Sequence, residues 1–199
     1  NKYTFPTEQK YADKEFARSV AKVFLRENLK NGITCGCVYC TVYPQSVDAL
    51  FEEAEKLGMR LAAGKVMMDR NAPEKLLDTP KQGYDDSKAL IKKWHGRGRL
   101  MYAITPRFAP TSTREQLEAT GALCKEHPEC YMQTHVSENK GEVAWVKELF
   151  PGRKGYLDVY DHYSLCRPRA VFGHGIHLTD EEMQTMHRTG SALSHCPTS

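Results

Sequence analysis

Four side chains have types and spacings that could do chemistry together. His135 is followed three residues later by Glu138, His174 stands between two glycines, and Arg107 directly follows a proline. Neutral imidazole is a good zinc ligand, and a carboxylate near a zinc-bound water is placed to move its proton to a leaving group. The planar guanidinium of an arginine can bind a carbonyl or ring-nitrogen edge. These residue types predict a metal site with an acid–base group beside it.

Each of these residues also has a plainer interpretation. Glu138 could cap a helix, His135 could be a hydrogen-bonded structural histidine, and Arg107 could be a solvated loop residue. Two strands of one sheet that both end in histidine, one with a glutamate attached, favour the metal site for His135, Glu138 and His174. For Arg107 taken alone, the solvated loop residue is favoured. His195 is equally consistent with a site residue and a structural one, and His95 is expected to be solvated.

The elements that must position these residues alternate between strand and helix. Strands are predicted at 33–38, 60–67, 100–105, 130–135, 170–174 and 191–195, and helices at 12–30, 46–57, 84–94, 113–126, 138–150, 157–164 and 179–188. Such alternation indicates a parallel sheet, either doubly wound or a (β/α)8 barrel. The absence of a phosphate-loop motif disfavours the nucleotide-binding open sheet. In a barrel, chemistry sits at the carboxyl ends of the strands, where the candidate residues fall.

Composition narrows the class of protein. The 199 residues are 40% hydrophobic and 27% charged, and 28 basic against 25 acidic residues give a net charge of +3. Interleaved charges of this kind predict no nucleic-acid partner, and apolar runs far shorter than about 20 residues predict no membrane span. The odd count of seven cysteines predicts free thiols in a reducing, cytoplasmic setting. Cys35, Cys37 and Cys40 are interpreted as small buried hydrophobes rather than a metal knuckle.

Six segments along almost the whole chain resemble the guanine deaminase family of zinc-dependent amidohydrolases, in matching order. They are Tyr3-Thr-Phe-Pro6, Gly64-Lys-Val-Met-Met-Asp-Arg-Asn-Ala-Pro73, Ile104-Thr-Pro-Arg-Phe108, His135-Val-Ser-Glu-Asn139, Tyr156-Leu-Asp-Val-Tyr160 and His195-Cys-Pro-Thr-Ser199. The third and fourth in succession are fairly specific, whereas either alone is not.

The resemblance implies a (β/α)8 TIM barrel of the metal-dependent hydrolase type, which converts guanine to xanthine and ammonia in purine catabolism. It implies one zinc ion per subunit and a homodimer. His135 would be a zinc ligand on the fifth barrel strand and would also contact the substrate. Glu138 would protonate the purine ring and relay the proton of the attacking water, and His174 would hold that water near the metal. Arg107 and Phe108 would bind the purine, and the lack of a lysine at the end of the fourth strand supports a single metal.

Two motifs of the family do not occur among the 199 residues: the His-x-His of the first strand and the zinc-binding aspartate of the eighth. We therefore expect residues 1–199 to form one partial barrel domain, from about helix 1 to strand 7. Strand 1, strand 8 and the flanking β-sandwich would lie outside it. A complete barrel takes about 250 residues, so the length also favours a fragment.

Two other functions are consistent with the sequence. The first is a related amidohydrolase that deaminates or dechlorinates another heterocycle, such as 8-oxoguanine, a pterin or an s-triazine. The second is a catalytically inert chain, because His135 alone cannot hold zinc in a closed tetrahedral site. The unpaired edges of an incomplete barrel also predict aggregation of the isolated chain.

Overall fold

The computed structural model describes residues 2–198, in which parallel strands alternate with helices. The strands are β1 (Cys35–Tyr39), β2 (Arg60–Gly64), β3 (Val66–Met67), β4 (Leu100–Pro106), β5 (Tyr131–Val136), β6 (Ala170–His174) and β7 (Ala192–Ser194). The α-helices are α1 (Thr4–Glu8), α2 (Lys14–Lys30), α3 (Pro44–Lys56), α4 (Pro80–Trp94), α5 (Arg114–Glu126), α6 (Lys140–Leu149), α7 (Tyr156–His162) and α8 (Asp180–Thr189). Three 3-10 turns cover Gln9–Ala12, Glu74–Leu76 and Ala109–Thr111.

The strands form one sheet in the order β1-β2-β4-β5-β6-β7, with β3 beside β4, and every pair is parallel. Neighbouring strands follow the chain order, whereas a doubly wound sheet reverses its strand order at a switch point. The described residues therefore form part of a (β/α) barrel, which confirms the predicted fold class.

Local sequence chemistry sets the helix boundaries. The side chains of five N-cap residues accept hydrogen bonds from backbone amides in the first turn, as small polar caps do; they are Asp13, Thr79, Thr113, Asn139 and Thr179. Pro44 and Pro80 occupy first helical positions, where no amide donor is needed. Gly190 ends α8 with a φ of 68°, in the left-handed region that favours glycine.

The core lies between the sheet and the surrounding helices. Phe51 of α3 and Trp94 of α4 are buried, and their ring centroids lie 5.6 Å apart. Gly64 allows β2 to approach β4, because a Cβ at this position would lie 1.6 Å from the carbonyl oxygen of Ala103. Among the described residues, no helix is both long and apolar enough to cross a membrane.

The structure differs from the sequence-based expectations in three places. Helix α1 was not predicted. The strand predicted at 60–67 is divided at Lys65, whose backbone amide donates to the side-chain hydroxyl of Tyr102 at 3.2 Å rather than to the backbone of a neighbouring strand. Cys35 and Cys37, expected to be buried, are exposed because β1 is an edge strand of the described sheet.

Candidate active site

Three adjacent strands bring most of the candidate residues to one end of the sheet. Arg107 and Phe108 directly follow β4, while His135 and His174 lie at the ends of β5 and β6. The rings of His135 and His174 stack with centroids 5.4 Å apart and planes at 21°, and the Phe108 ring lies 6.1 Å from the His135 ring. The strand-end prediction therefore places these four side chains correctly with respect to one another.

A backbone hydrogen bond determines which nitrogen of His135 carries the proton. Its Nδ1 atom lies 2.7 Å from the carbonyl oxygen of Arg107. Because a carbonyl oxygen can only accept, Nδ1 must donate, and the lone pair is left on Nε2. This is the arrangement in which a partner on one ring nitrogen orients the other toward a metal. Burial lowers the pKa of His135, which further favours the neutral ring.

A tight turn after β5 places Glu138 beside His174. The Glu138 carboxylate lies 3.5 Å from Nε2 of His174, and the side chain of Glu138 is 35% exposed. Ser137 and His174 have φ angles of 50° and 72°, a costly conformation for residues with a Cβ that is found most often at functional sites. The amide of Gly175 donates to the carbonyl of Val136 at 2.8 Å and holds this turn against β6.

The guanidinium of Arg107 is held by the loops around it. Its Nη1 atom lies 3.3 Å from the sulfur of Met68, and its face lies 5.8 Å from the ring centroid of Phe5 in α1. Its amide donates to the carbonyl of Met67 at 3.1 Å. The loop after β3 thus supports Arg107 from one side, and α1 covers it from the other.

An open cleft of about 650 Å³ reaches His135 and Arg107. Its walls also include Tyr39, whose ring lies 4.6 Å from that of His135, and Glu8 of α1. Burial raises the pKa of Glu8, and the positive charge of Arg107 partly offsets this. Sequence reasoning missed both residues. The only signal for α1 was the Tyr3-Thr-Phe-Pro6 motif, which carried no assigned role.

A second cluster of possible metal ligands lies at the opposite ends of the strands and consists of His95, Glu129 and Cys130. Nδ1 of His95 already accepts a hydrogen bond from the amide of Tyr102 at 3.1 Å, and the Cys130 sulfur lies 3.4 Å from it. A metal on this nitrogen would leave the Tyr102 amide unpaired. His95 therefore has a structural role and is half-buried, so the expectation that it is solvated holds only in part.

The cleft suits a metal ion only in part. A structural or catalytic zinc site needs three or four protein ligands, and from the described residues the cleft offers Nε2 of His135, with His174 stacked beside it. His195, the remaining candidate, is exposed just after β7. Further ligands would have to come from outside residues 2–198.

Comparison with known proteins identifies a family and several relatives that the chain resembles. The model of the amidohydrolase family matches residues 3–199. The guanine deaminase of Escherichia coli is 53% identical over 199 residues, which are the whole of this chain and 45% of that protein, and its structure superposes with a TM-score of 0.98. The chain thus spans less than half the length of this relative.

Two further solved structures are similar. The guanine deaminase of C. acetobutylicum, solved with guanine in its active site, has a TM-score of 0.94 at 32% identity and covers 98% of this chain and 47% of its own. An atrazine chlorohydrolase of Arthrobacter aurescens, solved with zinc and atraton, has a TM-score of 0.83 at 20% identity, over 92% of this chain and 43% of its own. The second similarity concerns the fold alone.

Proposed function

The chain belongs to the amidohydrolase family, and we propose that it forms the central part of a guanine deaminase, which hydrolyses guanine to xanthine and ammonia. The observation that carries the proposal is the 2.7 Å hydrogen bond between Nδ1 of His135 and the carbonyl of Arg107. It couples an imidazole with a free Nε2 lone pair to a guanidinium that can bind a purine carbonyl. The guanine-bound relative supports the choice of substrate.

We propose one zinc ion per subunit, held by Nε2 of His135 together with ligands outside residues 2–198. When bound, zinc supplies a water whose pKa is low enough for it to act as a nucleophile near neutral pH. The tautomer of His135 and its neutral charge state support this assignment.

The other residues act on the substrate and on protons. Arg107 donates hydrogen bonds to the carbonyl side of the purine, and Phe108 packs against the ring. Glu138 would take one proton from the attacking water and give it to the purine ring nitrogen. It would then carry the second proton, from the hydroxyl group added to the ring carbon, to the amine, which leaves as ammonia. His174, 3.5 Å from the Glu138 carboxylate, would hold the water beside that carboxylate.

Glu138→Gln in the full-length protein tests the mechanism. Removing the acid–base group should lower kcat for guanine by about 10²- to 10⁴-fold, while zinc content stays the same because the ligand His135 is untouched. Glu181→Gln is the matched control, since Glu181 is exposed on α8 away from the cleft. Turnover within tenfold of the wild type would contradict the role given to Glu138.

A related amidohydrolase with another substrate is the second candidate, and the shared fold of the triazine-degrading enzyme favours testing it. We compare hydrolysis of guanine with that of 8-oxoguanine, a pterin and an s-triazine. Guanine should be preferred in kcat/KM, and a preference for any other ring would identify the alternative.

For the isolated 199-residue chain we propose no activity, because its described residues supply too few ligands for zinc. Metal analysis provides the test, and stoichiometric zinc in the isolated chain would refute the proposal. For the full-length protein we propose a homodimer in the cytoplasm. The seven cysteines, all free thiols, support a reducing compartment, and size-exclusion chromatography with light scattering would test the dimer.

A further inference from the structure

The hydroxyl of Tyr160 connects the two segments that carry the site. Tyr160 lies on α7 and is fully buried. Its hydroxyl donates to the carbonyl of His135 at 2.8 Å and accepts from the amide of Ala109 at 2.8 Å. The hydroxyl of Thr134 lies 3.2 Å from it and contributes a third contact. A buried tyrosine with a fully used hydroxyl has more than a packing role.

The hydroxyl oxygen of Tyr160 takes the place of one hydrogen bond between β5 and the segment that follows β4. The amide of His135 donates to the carbonyl of Arg107 at 3.4 Å, so the next bond of a parallel ladder would run from the amide of Ala109 to the carbonyl of His135. That direct bond is replaced by two bonds in series through the Tyr160 oxygen. A direct bond would hold the two atoms at about 2.9 Å, and the inserted oxygen keeps them farther apart.

The ring of Tyr160 is fixed as firmly as its hydroxyl. It stacks on Tyr156 with centroids 5.7 Å apart and lies 5.6 Å from the ring of Phe172 in β6. The inserted oxygen therefore cannot shift without displacing α7 or β6.

We propose that Tyr160 is a positioning residue that sets the distance between the metal-binding side chain of His135 and the substrate-binding pair Arg107 and Phe108. The inference rests on the proposed function for the roles of those residues. It assigns Tyr160 no contact with substrate or metal. Its effect is transmitted through the His135 carbonyl and the Ala109 amide.

The test is Tyr160→Phe in the full-length protein, with Tyr163→Phe as the control. Tyr163 directly follows α7 and packs half-buried against the core, and its hydroxyl takes no part in the contacts of Tyr160. Loss of an outer hydrogen bond to a metal ligand typically costs about 10- to 100-fold. We therefore expect Tyr160→Phe to weaken zinc binding, measured by competition with a chelator, and to lower kcat/KM for guanine, each by about that factor. Tyr163→Phe should stay within about threefold in both.

Amide hydrogen exchange provides a readout that does not depend on zinc or substrate. The Ala109 amide should exchange faster in Tyr160→Phe and at the wild-type rate in Tyr163→Phe. Equal effects of the two substitutions, or wild-type zinc affinity and exchange in Tyr160→Phe, would overturn the inference. If guanine is not the substrate, only the measurement of kcat/KM is lost. Zinc affinity and amide exchange still test the role of Tyr160.

If Tyr160→Phe does not fold, 3-fluorotyrosine at position 160 keeps the ring and the hydroxyl. Its fluorine resonance should move when zinc is added, because the hydroxyl is bonded to the His135 carbonyl, and the same label at position 163 should not respond. A fluorine signal at 160 that ignores zinc while zinc binds would also overturn the inference.

Discussion

The ion pair between Lys65 and Asp78 is almost completely buried, with side-chain exposures of 0% and 4%. Its two members differ in the partners that would remain if the other were lost. Asp78 would keep hydrogen bonds from the Met68 amide at 3.1 Å and from Nε2 of Gln116 at 3.0 Å. Within residues 2–198, the ammonium group of Lys65 would keep only the carbonyl of Val66 at 3.2 Å.

This asymmetry predicts unequal losses of stability. Breaking a buried pair by removing one charge costs about 3–5 kcal/mol, and Asp78→Asn should lie in that range because the ammonium group is left nearly alone. Lys65→Met should cost less, about 2 kcal/mol, since two donors still neutralise part of the carboxylate charge. The double variant should lie within about 2 kcal/mol of the wild type, because a neutral pair carries no uncompensated charge.

Urea unfolding of the full-length protein, followed by tryptophan fluorescence, measures the three free energies of unfolding. Zinc concentration is kept constant, because a ligand that binds the native state adds to stability. A double variant whose loss equals the sum of the single losses would refute the reasoning, as would a larger loss for Lys65→Met than for Asp78→Asn. Asp78 also accepts a hydrogen bond from the amide of Met68, whose sulfur contacts the guanidinium of Arg107. Asp78→Asn should therefore also raise KM for guanine.

Three further predictions follow from single contacts. Burial raises the pKa of Glu142 above 4.5. The folded state therefore favours the protonated carboxyl, and the wild type loses stability as pH rises. Glu142→Gln should raise Tm at pH 7 and give no gain near pH 4, and an equal gain at both pH values would contradict this. Arg107→Lys should raise KM for guanine about tenfold or more, because lysine lacks the planar guanidinium group. Zinc affinity should stay unchanged, because the backbone carbonyl of residue 107 still holds His135. A parallel loss of zinc affinity would contradict this prediction. Gly64→Ala should abolish soluble expression, because its Cβ would lie 1.6 Å from a backbone oxygen of β4, whereas Gly36→Ala, with its nearest contact at 3.5 Å, should be tolerated.

The residues that follow strands were predictable, and those brought in by other elements were not. Arg107, His135 and His174 come together because the carboxyl ends of parallel strands meet at one edge, a consequence of periodicity alone. Their chemical roles remain predictions. Glu8 reaches the cleft only because α1 folds over Arg107, and neither its spacing nor its type indicates that contact.

Tyr160 shows the limit of sequence patterns more clearly. In the sequence, Tyr160 stands out only as the end of the Tyr156-Leu-Asp-Val-Tyr160 motif, and the structure shows that it is fully buried. The hydrogen bonds that give it a further role join residues 25 and 51 positions away. They depend on the distance between the ends of two strands, which no local pattern encodes.

The contacts divide the site into two groups that should respond differently to substitution. His135 and Arg107 share a carbonyl that accepts from both the ring and the amide of His135, so a displacement of one displaces the other. Glu138 and His174 are tied instead to β6 through the Gly175 amide. Substitutions that displace the backbone shared by the first group should change zinc affinity and KM together, whereas a change confined to the Arg107 side chain should change KM alone. Substitutions in the second should lower kcat at constant zinc affinity, because proton transfer depends on Glu138 whereas metal and substrate binding do not.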